Sequence, residues 1–215
     1  MESLNNANVI SKNEASILEE VMNIAFGKAS SDLAELIDIR ILLNVPVVQT
    51  LKAEDLQQLI KEETKEYGTI SIIEQNFWGK YNGSALLVFP STAIEGLVSL
   101  FDDDEESLEK SALLEKETLL EVGNILIGAC VGKVAELLDD IVSFSPPRLL
   151  PEIRIDNFSK NEAIPMLDDP GKYAVLMKTV FHVEDKDISG FLFLVANHQS
   201  MEWLKTALNV FMEKF

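Results

Sequence analysis

Hydrophobic residues recur at steps of three and four along two long stretches of the chain, residues 17–37 and 111–140. This spacing is typical of an amphipathic helix that buries one face, so each stretch predicts a long helix. Ser11 and Glu14 precede the first stretch at the spacing of a capping box, which predicts that the helix begins there.

The residues that follow each predicted helix are typical of β-strands. Two strands joined by a short turn are predicted in each half, at 69–78 and 84–89 and again at 174–183 and 190–195. The other predicted elements are extended segments at 39–48 and 142–150 and helices at 53–65, 91–101 and 200–214. A helix followed by an antiparallel hairpin, twice in the same order, indicates an α+β fold.

The two halves of the chain also resemble each other in sequence. When residues 16–46 are aligned with residues 117–147, at an offset of 101, eleven positions are identical. In the first half these are Leu18, Glu20, Val21, Asn23, Ile24, Gly27, Ala34, Glu35, Leu36, Asp38 and Pro46. This similarity predicts one domain, residues 1–215, built as a pseudo-two-fold duplication of repeats near 10–105 and 108–215. We expect the acidic run that joins them, residues 102–106, to be a solvated loop.

Composition narrows the class of function. The chain has 215 residues, 47% of them hydrophobic, and its 36 Asp and Glu against 18 Lys and Arg give a net charge of −18. This charge opposes binding to phosphate backbones and anionic lipid, so we expect neither a nucleic-acid partner nor a membrane partner. One cysteine, Cys130, and two histidines provide neither an internal disulfide nor a usual zinc site. With no export signal and no apolar run near the ~18 residues of a membrane span, we expect a cytoplasmic protein.

Each predicted long helix has a polar stripe at positions i, i+4 and i+7. The stripes are Ser16, Glu20 and Asn23 in the first half and Glu117, Glu121 and Asn124 in the second. Such a stripe alone is typical of a solvated helix face. Here Glu and Asn persist in both halves although 20 of the 31 aligned positions differ, which favours a shared function, because core packing requires neither group and helix propensity disfavours Asn. Each Asn is followed, after 22 intervening residues, by Pro46 or Pro147.

The pattern Asp/Ser-x3-Glu-x2-Asn-x22-Pro, present twice, resembles the motif of the CheC family of chemotaxis phosphatases, which groups CheC, CheX and FliY. The first copy fits throughout, from Ser16 to Pro46, whereas the second has Glu117 at its first position. Two motifs in one chain are similar to CheC, since CheX has one motif per chain. Gly123 stands beside Asn124, as family members often have it, and we expect a partner backbone to approach closely there. The resemblance implies a six-stranded antiparallel sheet with the two motif helices paired on one face.

The resemblance also implies an activity, the hydrolysis of the aspartyl phosphate of a CheY-like response regulator. Asn23 and Asn124 would each orient the attacking water, and Glu20 and Glu121 would each pair with the active-site Lys of the regulator. No cofactor of the chain itself is implied, because the Mg²⁺ belongs to the regulator. The alternative is a non-catalytic adaptor that uses the same helices to bind a response regulator or the receptor deamidase CheD. Intact Glu and Asn pairs favour catalysis, since an adaptor has little need for the amide.

Overall fold

The computed structural model describes residues 11–37, 41–44, 47–94, 96, 108–150, 152–160, 173–183, 188–196 and 198–213. The acidic join at 102–106, the second hairpin turn at 184–187 and Pro46 of the first motif lie outside these residues.

Two long helices, α1 (Lys12–Ile37) and α3 (Leu108–Leu137), pack against each other and against one face of a β-sheet. The predicted capping box is present at the start of α1. The Ser11 backbone N–H donates to Glu14 Oε2 at 2.6 Å, and the Glu14 N–H donates to Ser11 Oγ at 3.2 Å. Helix α3 ends three residues earlier than predicted because the chain turns at Asp139, whose φ of 53° lies in the left-handed region.

Within the described residues, nine antiparallel strand segments form a single sheet with six positions. They are β1 (Ile41–Leu43), β2 (Val47–Lys52), β3 (Thr69–Trp78), β4 (Gly83–Pro90), β5 (Ser143–Phe144), β6 (Arg148–Leu149), β7 (Ile153–Arg154), β8 (Tyr173–Val183) and β9 (Ile188–Ala196). The order is β1/β2, β8, β9, β4, β3, β5/β6/β7, so the expectation of a six-stranded sheet is confirmed and each edge is divided into short segments. The edge segments of each half pair with the hairpin of the other half, an exchange compatible with two repeats, whose division stays a prediction.

Helices cover both faces of the sheet. The motif helices and α4 (His198–Met212) cover one face, and α2 (Ala53–Glu63) covers the other, together with a 3₁₀ helix at Ile155–Lys160. Along β4, Ala85, Leu87 and Phe89 belong to the first core, while Leu86 and Val88 belong to the second. This burial on both faces explains why the sequence of the strand is continuously apolar and does not alternate.

At each edge of the sheet, the stretch between two successive edge segments is one residue longer than the stretch of the neighbouring strand that it lies opposite. Four steps along the first edge, from Leu43 to Val47, lie opposite three steps of β8, from Phe181 to Lys178. The second edge shows the same difference between the end of β5 and the start of β6, opposite β3. An extra residue in one strand of an antiparallel pair is a β-bulge, a feature that often redirects groups next to functional sites.

Some short elements differ from the predictions. The predicted helix at 91–101 begins as a 3₁₀ turn, Ser91–Ala93, and most of its remainder lies outside the described residues. Strand β7 and the 3₁₀ helix after it were not predicted, because two-residue strands and single turns have no hydrophobic period to detect.

One stretch of α3, Lys116–Leu137, is long and apolar enough by length and composition to cross a membrane. The expectation that no apolar run approaches that length was therefore wrong. In the folded chain 56% of its most apolar window is buried, where α3 packs on the sheet and on α1. The composition of α3 is thus that of a helix in the core of this fold.

Candidate functional site

The motif side chains of both long helices face solvent. Six residues are exposed, and they are Ser16, Glu20 and Asn23 on α1 and Glu117, Glu121 and Asn124 on α3. The other sides of the helices form the core, where Leu18, Val21 and Val122 are at most 5% exposed. Because these apolar residues fix the rotation of each helix, Glu and Asn are presented one turn apart on a surface that a macromolecular partner can reach.

The two motif carboxylates are not engaged within the folded chain. Among the residues that the structure describes, neither Glu20 nor Glu121 has a hydrogen-bond or ion-pair partner. The preceding residue of α1, Glu19, differs, since its Oε1 accepts a hydrogen bond from the Val48 backbone N–H of the edge strand at 3.3 Å. Glu19 therefore ties α1 to the sheet, and Glu20 remains available for an intermolecular contact.

Asn124 is held by a side chain that sequence reasoning missed. Gln75 lies on β3 and is 1% exposed, and its Nε2 donates to Asn124 Oδ1 at 2.9 Å. The same nitrogen donates to the backbone carbonyl of Ser145, in the bulge of the neighbouring edge, at 2.8 Å. A polar residue at a strand position whose alternate neighbours, Ile73 and Phe77, are apolar is the sequence signal that could have identified Gln75.

The hydrogen-bond network fixes which way the Asn124 carboxamide faces. A backbone carbonyl can only accept, so the Gln75 atom that faces Ser145 O must be the nitrogen. That nitrogen can only donate, so the Asn124 atom that faces it must be Oδ1. Because the two heteroatoms of a carboxamide lie on opposite sides of its carbon, the Asn124 NH₂ group is directed away from Gln75 and keeps both donors.

The motif proline of the second half lies in the same bulge. Pro147 is two residues beyond Ser145 and directly precedes β6. Ser145 is itself fixed by β3, since its N–H donates to the Asn76 carbonyl at 2.9 Å and its Oγ accepts from the Asn76 N–H at 3.1 Å. Proline has no N–H to pair, which suits a bulge in an edge strand, so the Asn and Pro of the motif are joined through Gln75 and Ser145.

Gly123, beside Asn124, does not have the role that the sequence predicted. It is buried, and a β-carbon there would clash with the Ile73 side chain on β3. The expectation that a partner backbone approaches Gly123 is therefore wrong, because this glycine allows α3 to lie close to the sheet. Gly27 and Gly128, four residues beyond Asn23 and Asn124, have open space around the position of a β-carbon.

The features of the described ranges other than the motif residues do not form a second candidate site. No group of three or more His, Cys, Asp or Glu side chains there could hold a metal ion. Burial raises the pKa of the Cys130 thiol, which packs in the core as a small apolar residue. A cavity of about 160 Å³ lies between the end of α3 and α4, lined by Trp203 and Phe211 among others and by none of the motif residues.

Comparisons with known proteins agree with the motif and the fold. The model of the CheC-like family matches residues 14–49, which include the first motif. The CheY-P phosphatase CheC of Bacillus subtilis is 25% identical over 209 residues, 94% of this chain and 96% of the relative. The crystal structure of FliY from Thermotoga maritima superimposes with a TM-score of 0.69 at 20% identity, covering 96% of this chain and all of that one. The middle domain of FliM from Vibrio alginolyticus has a TM-score of 0.56 at 16% identity, covering 88% of this chain and 99% of that one.

Proposed function

Because the chain belongs to the CheC-like family, we propose that it is a phosphatase that hydrolyses the aspartyl phosphate of a CheY-like response regulator in chemotaxis. The observation that carries this proposal is the pair of helices that each present an exposed Glu and an exposed Asn one turn apart. The relative from Bacillus subtilis, similar over nearly the full length of both chains, is named for this reaction.

The chemistry requires little from the phosphatase. A phosphorylated regulator already has Mg²⁺ and a Lys at its phosphoryl group, so faster hydrolysis mainly needs a water held in line with the leaving aspartate oxygen. A carboxamide suits this task, because its NH₂ donates and its oxygen accepts, so it can hold a water in one orientation without acting as a strong base. The proposed roles of Asn124 and Asn23 are to orient that water, and the metal enters with the substrate.

The motif glutamates have a different role in this proposal. Glu20 and Glu121 are exposed and unpaired in the described part of the chain, so binding does not first have to break an internal ion pair. Each would accept a charge-assisted hydrogen bond from the active-site Lys of a docked regulator. One helix thus positions the regulator through Glu and the water through Asn.

The same surface could instead bind a regulator, or the deamidase CheD, without turnover. The FliM middle domain shares this fold, and a fold alone does not determine an activity. The exposed carboxamides favour catalysis, because an adaptor that needs only charge and shape has no use for an amide one turn from each carboxylate. A phosphatase of this kind would act in the cytoplasm, where its substrate is found.

The test is the decay of a purified CheY-like regulator, phosphorylated with a small phosphodonor in the presence of Mg²⁺. We expect the wild-type protein to accelerate the decay and both Asn23→Ala and Asn124→Ala to retain part of that acceleration, because each leaves one site intact. Unchanged decay with wild-type protein that still binds the regulator would replace the phosphatase with the adaptor.

A further inference from the structure

Thr179 on β8 lies at the position that corresponds to Gln75 on β3. Each residue comes directly after the strand position that pairs with the first residue of β2 or β6. Each side chain also donates to a bulge carbonyl of the neighbouring edge, Gln75 to Ser145 O at 2.8 Å and Thr179 to Asn44 O at 2.6 Å. Holding that carbonyl therefore requires one donor, and a threonine provides it.

The two side chains differ in how many donors they have left. A threonine hydroxyl has one proton, and Thr179 gives it to Asn44. The Gln75 NH₂ group has two protons, and the second goes to Asn124 Oδ1. In the part of the chain that the structure describes, the Asn23 carboxamide has no hydrogen-bond partner. Among the described residues, the sheet therefore fixes Asn124 and makes no hydrogen bond to Asn23.

Gln75 also has a cost that Thr179 does not have. Its Oε1 is buried without a hydrogen-bond partner, one of two such side-chain atoms among the described residues. A buried acceptor without a partner loses the hydration that it had in water, so the arrangement is unfavourable for folding alone. Since a threonine would hold the bulge without this penalty, the additional amide indicates a task beyond stability.

We propose that Gln75 is a positioning residue for Asn124, which makes the second motif the more active of two unequal sites. This inference rests on the proposed phosphatase function. With Oδ1 held by Gln75, the Asn124 NH₂ group faces outward before a regulator binds. Asn23 must become ordered during each encounter and loses side-chain entropy in doing so.

The kinetic test replaces Gln75 by threonine, the residue found at the corresponding position 179 of β8. In an Asn23→Ala background, where only the second site works, Gln75→Thr is expected to lower kcat for a phosphorylated CheY-like regulator about tenfold and to leave KM within about twofold. In an Asn124→Ala background the same substitution has no carboxamide to release, so its effect on kcat disappears. Equal losses in both backgrounds would show a purely structural role, and no loss in either would also overturn the proposal.

A second measurement separates this inference from the proposed function. Side-chain ¹⁵N relaxation of the wild-type protein should give the Asn124 NH₂ group a higher order parameter than that of Asn23, and Gln75→Thr should remove the difference. Equal order parameters in the wild-type protein would refute the positioning role even if the enzyme is active. If wild-type protein does not accelerate dephosphorylation at all, the phosphatase fails, and the relaxation data still decide whether Gln75 fixes Asn124.

Discussion

Gly123 of α3 lies directly on Ile73 of β3, so that a β-carbon at position 123 would be 2.7 Å from Ile73 Cγ2. We expect Gly123→Ala to lower the free energy of unfolding by about 1–3 kcal/mol, because α3 or the Ile73 side chain must shift to admit the methyl group and this cost exceeds the gain in helix propensity. Gly132→Ala is the control on the same helix, where open space surrounds the β-carbon and alanine should stabilise by about 0.5–1 kcal/mol. Denaturant unfolding measures both, and a neutral Gly123→Ala would contradict this packing.

Gly128 lies one turn beyond Asn124, and no atom of the described residues lies within 4 Å of the position that its β-carbon would take. We expect Gly128→Leu to fold normally and to raise KM for the regulator about tenfold, since the side chain would separate the docking surfaces. Gln58→Leu on α2, at the opposite face of the sheet, is the matched control and should leave KM unchanged. A normal KM for Gly128→Leu would mean that the regulator does not dock over this turn.

Neutralising the motif carboxylates should weaken binding through lost electrostatic attraction. We expect Glu20→Gln combined with Glu121→Gln to raise KM and to flatten the increase of KM with ionic strength, because charge-assisted contacts are screened by salt. Glu152→Gln removes an exposed charge that lies outside both motif helices, between β6 and β7, and serves as the control. If the salt dependence of KM is the same in the double variant and the wild type, these carboxylates do not contact a cation on the partner.

Burial of the Cys130 thiol makes the free energy of unfolding depend on pH in the alkaline range. Burial raises the pKa of Cys130 and also that of Tyr81, so both stay protonated in the native state where they ionise in the unfolded chain. The free energy of unfolding should therefore be independent of these groups below about pH 8 and should fall as the pH rises above the unfolded thiol pKa of about 8.5. Cys130→Ala should remove the first part of this fall, and fast reaction of the native thiol with a disulfide reagent at pH 8 would contradict the burial.

Local sequence signals predicted most of the fold, whereas long-range contacts could not be predicted. The capping box of Ser11 and Glu14 and the hairpin of β3 and β4 involve neighbours in the chain, and residue types with short spacings determine them. The bulges depend on which strands become neighbours, and that pairing joins the two halves of the chain.

The candidate site also contains some features that local sequence predicts and others that depend on long-range contacts. Helical periodicity places Glu121 and Asn124 on one exposed stripe, but nothing near Asn124 in sequence indicates Gln75, which is 49 residues earlier and reaches it only because α3 packs on β3. Gly123 was misinterpreted for the same reason, since its neighbour Ile73 is distant in the chain. Side chains that act across elements require the tertiary structure before they can be assigned.

In the proposed mechanism, an exposed carboxamide on each motif helix orients the attacking water. The most direct measurement compares wild-type protein with the Asn23→Ala/Asn124→Ala double variant, both in dephosphorylation of a Mg²⁺-bound phosphorylated regulator and in affinity for it. We expect the double variant to bind within about threefold of the wild type and to accelerate decay at least about a hundredfold less, because the lost groups act on the water and not on docking. Undiminished acceleration by the double variant would contradict this mechanism.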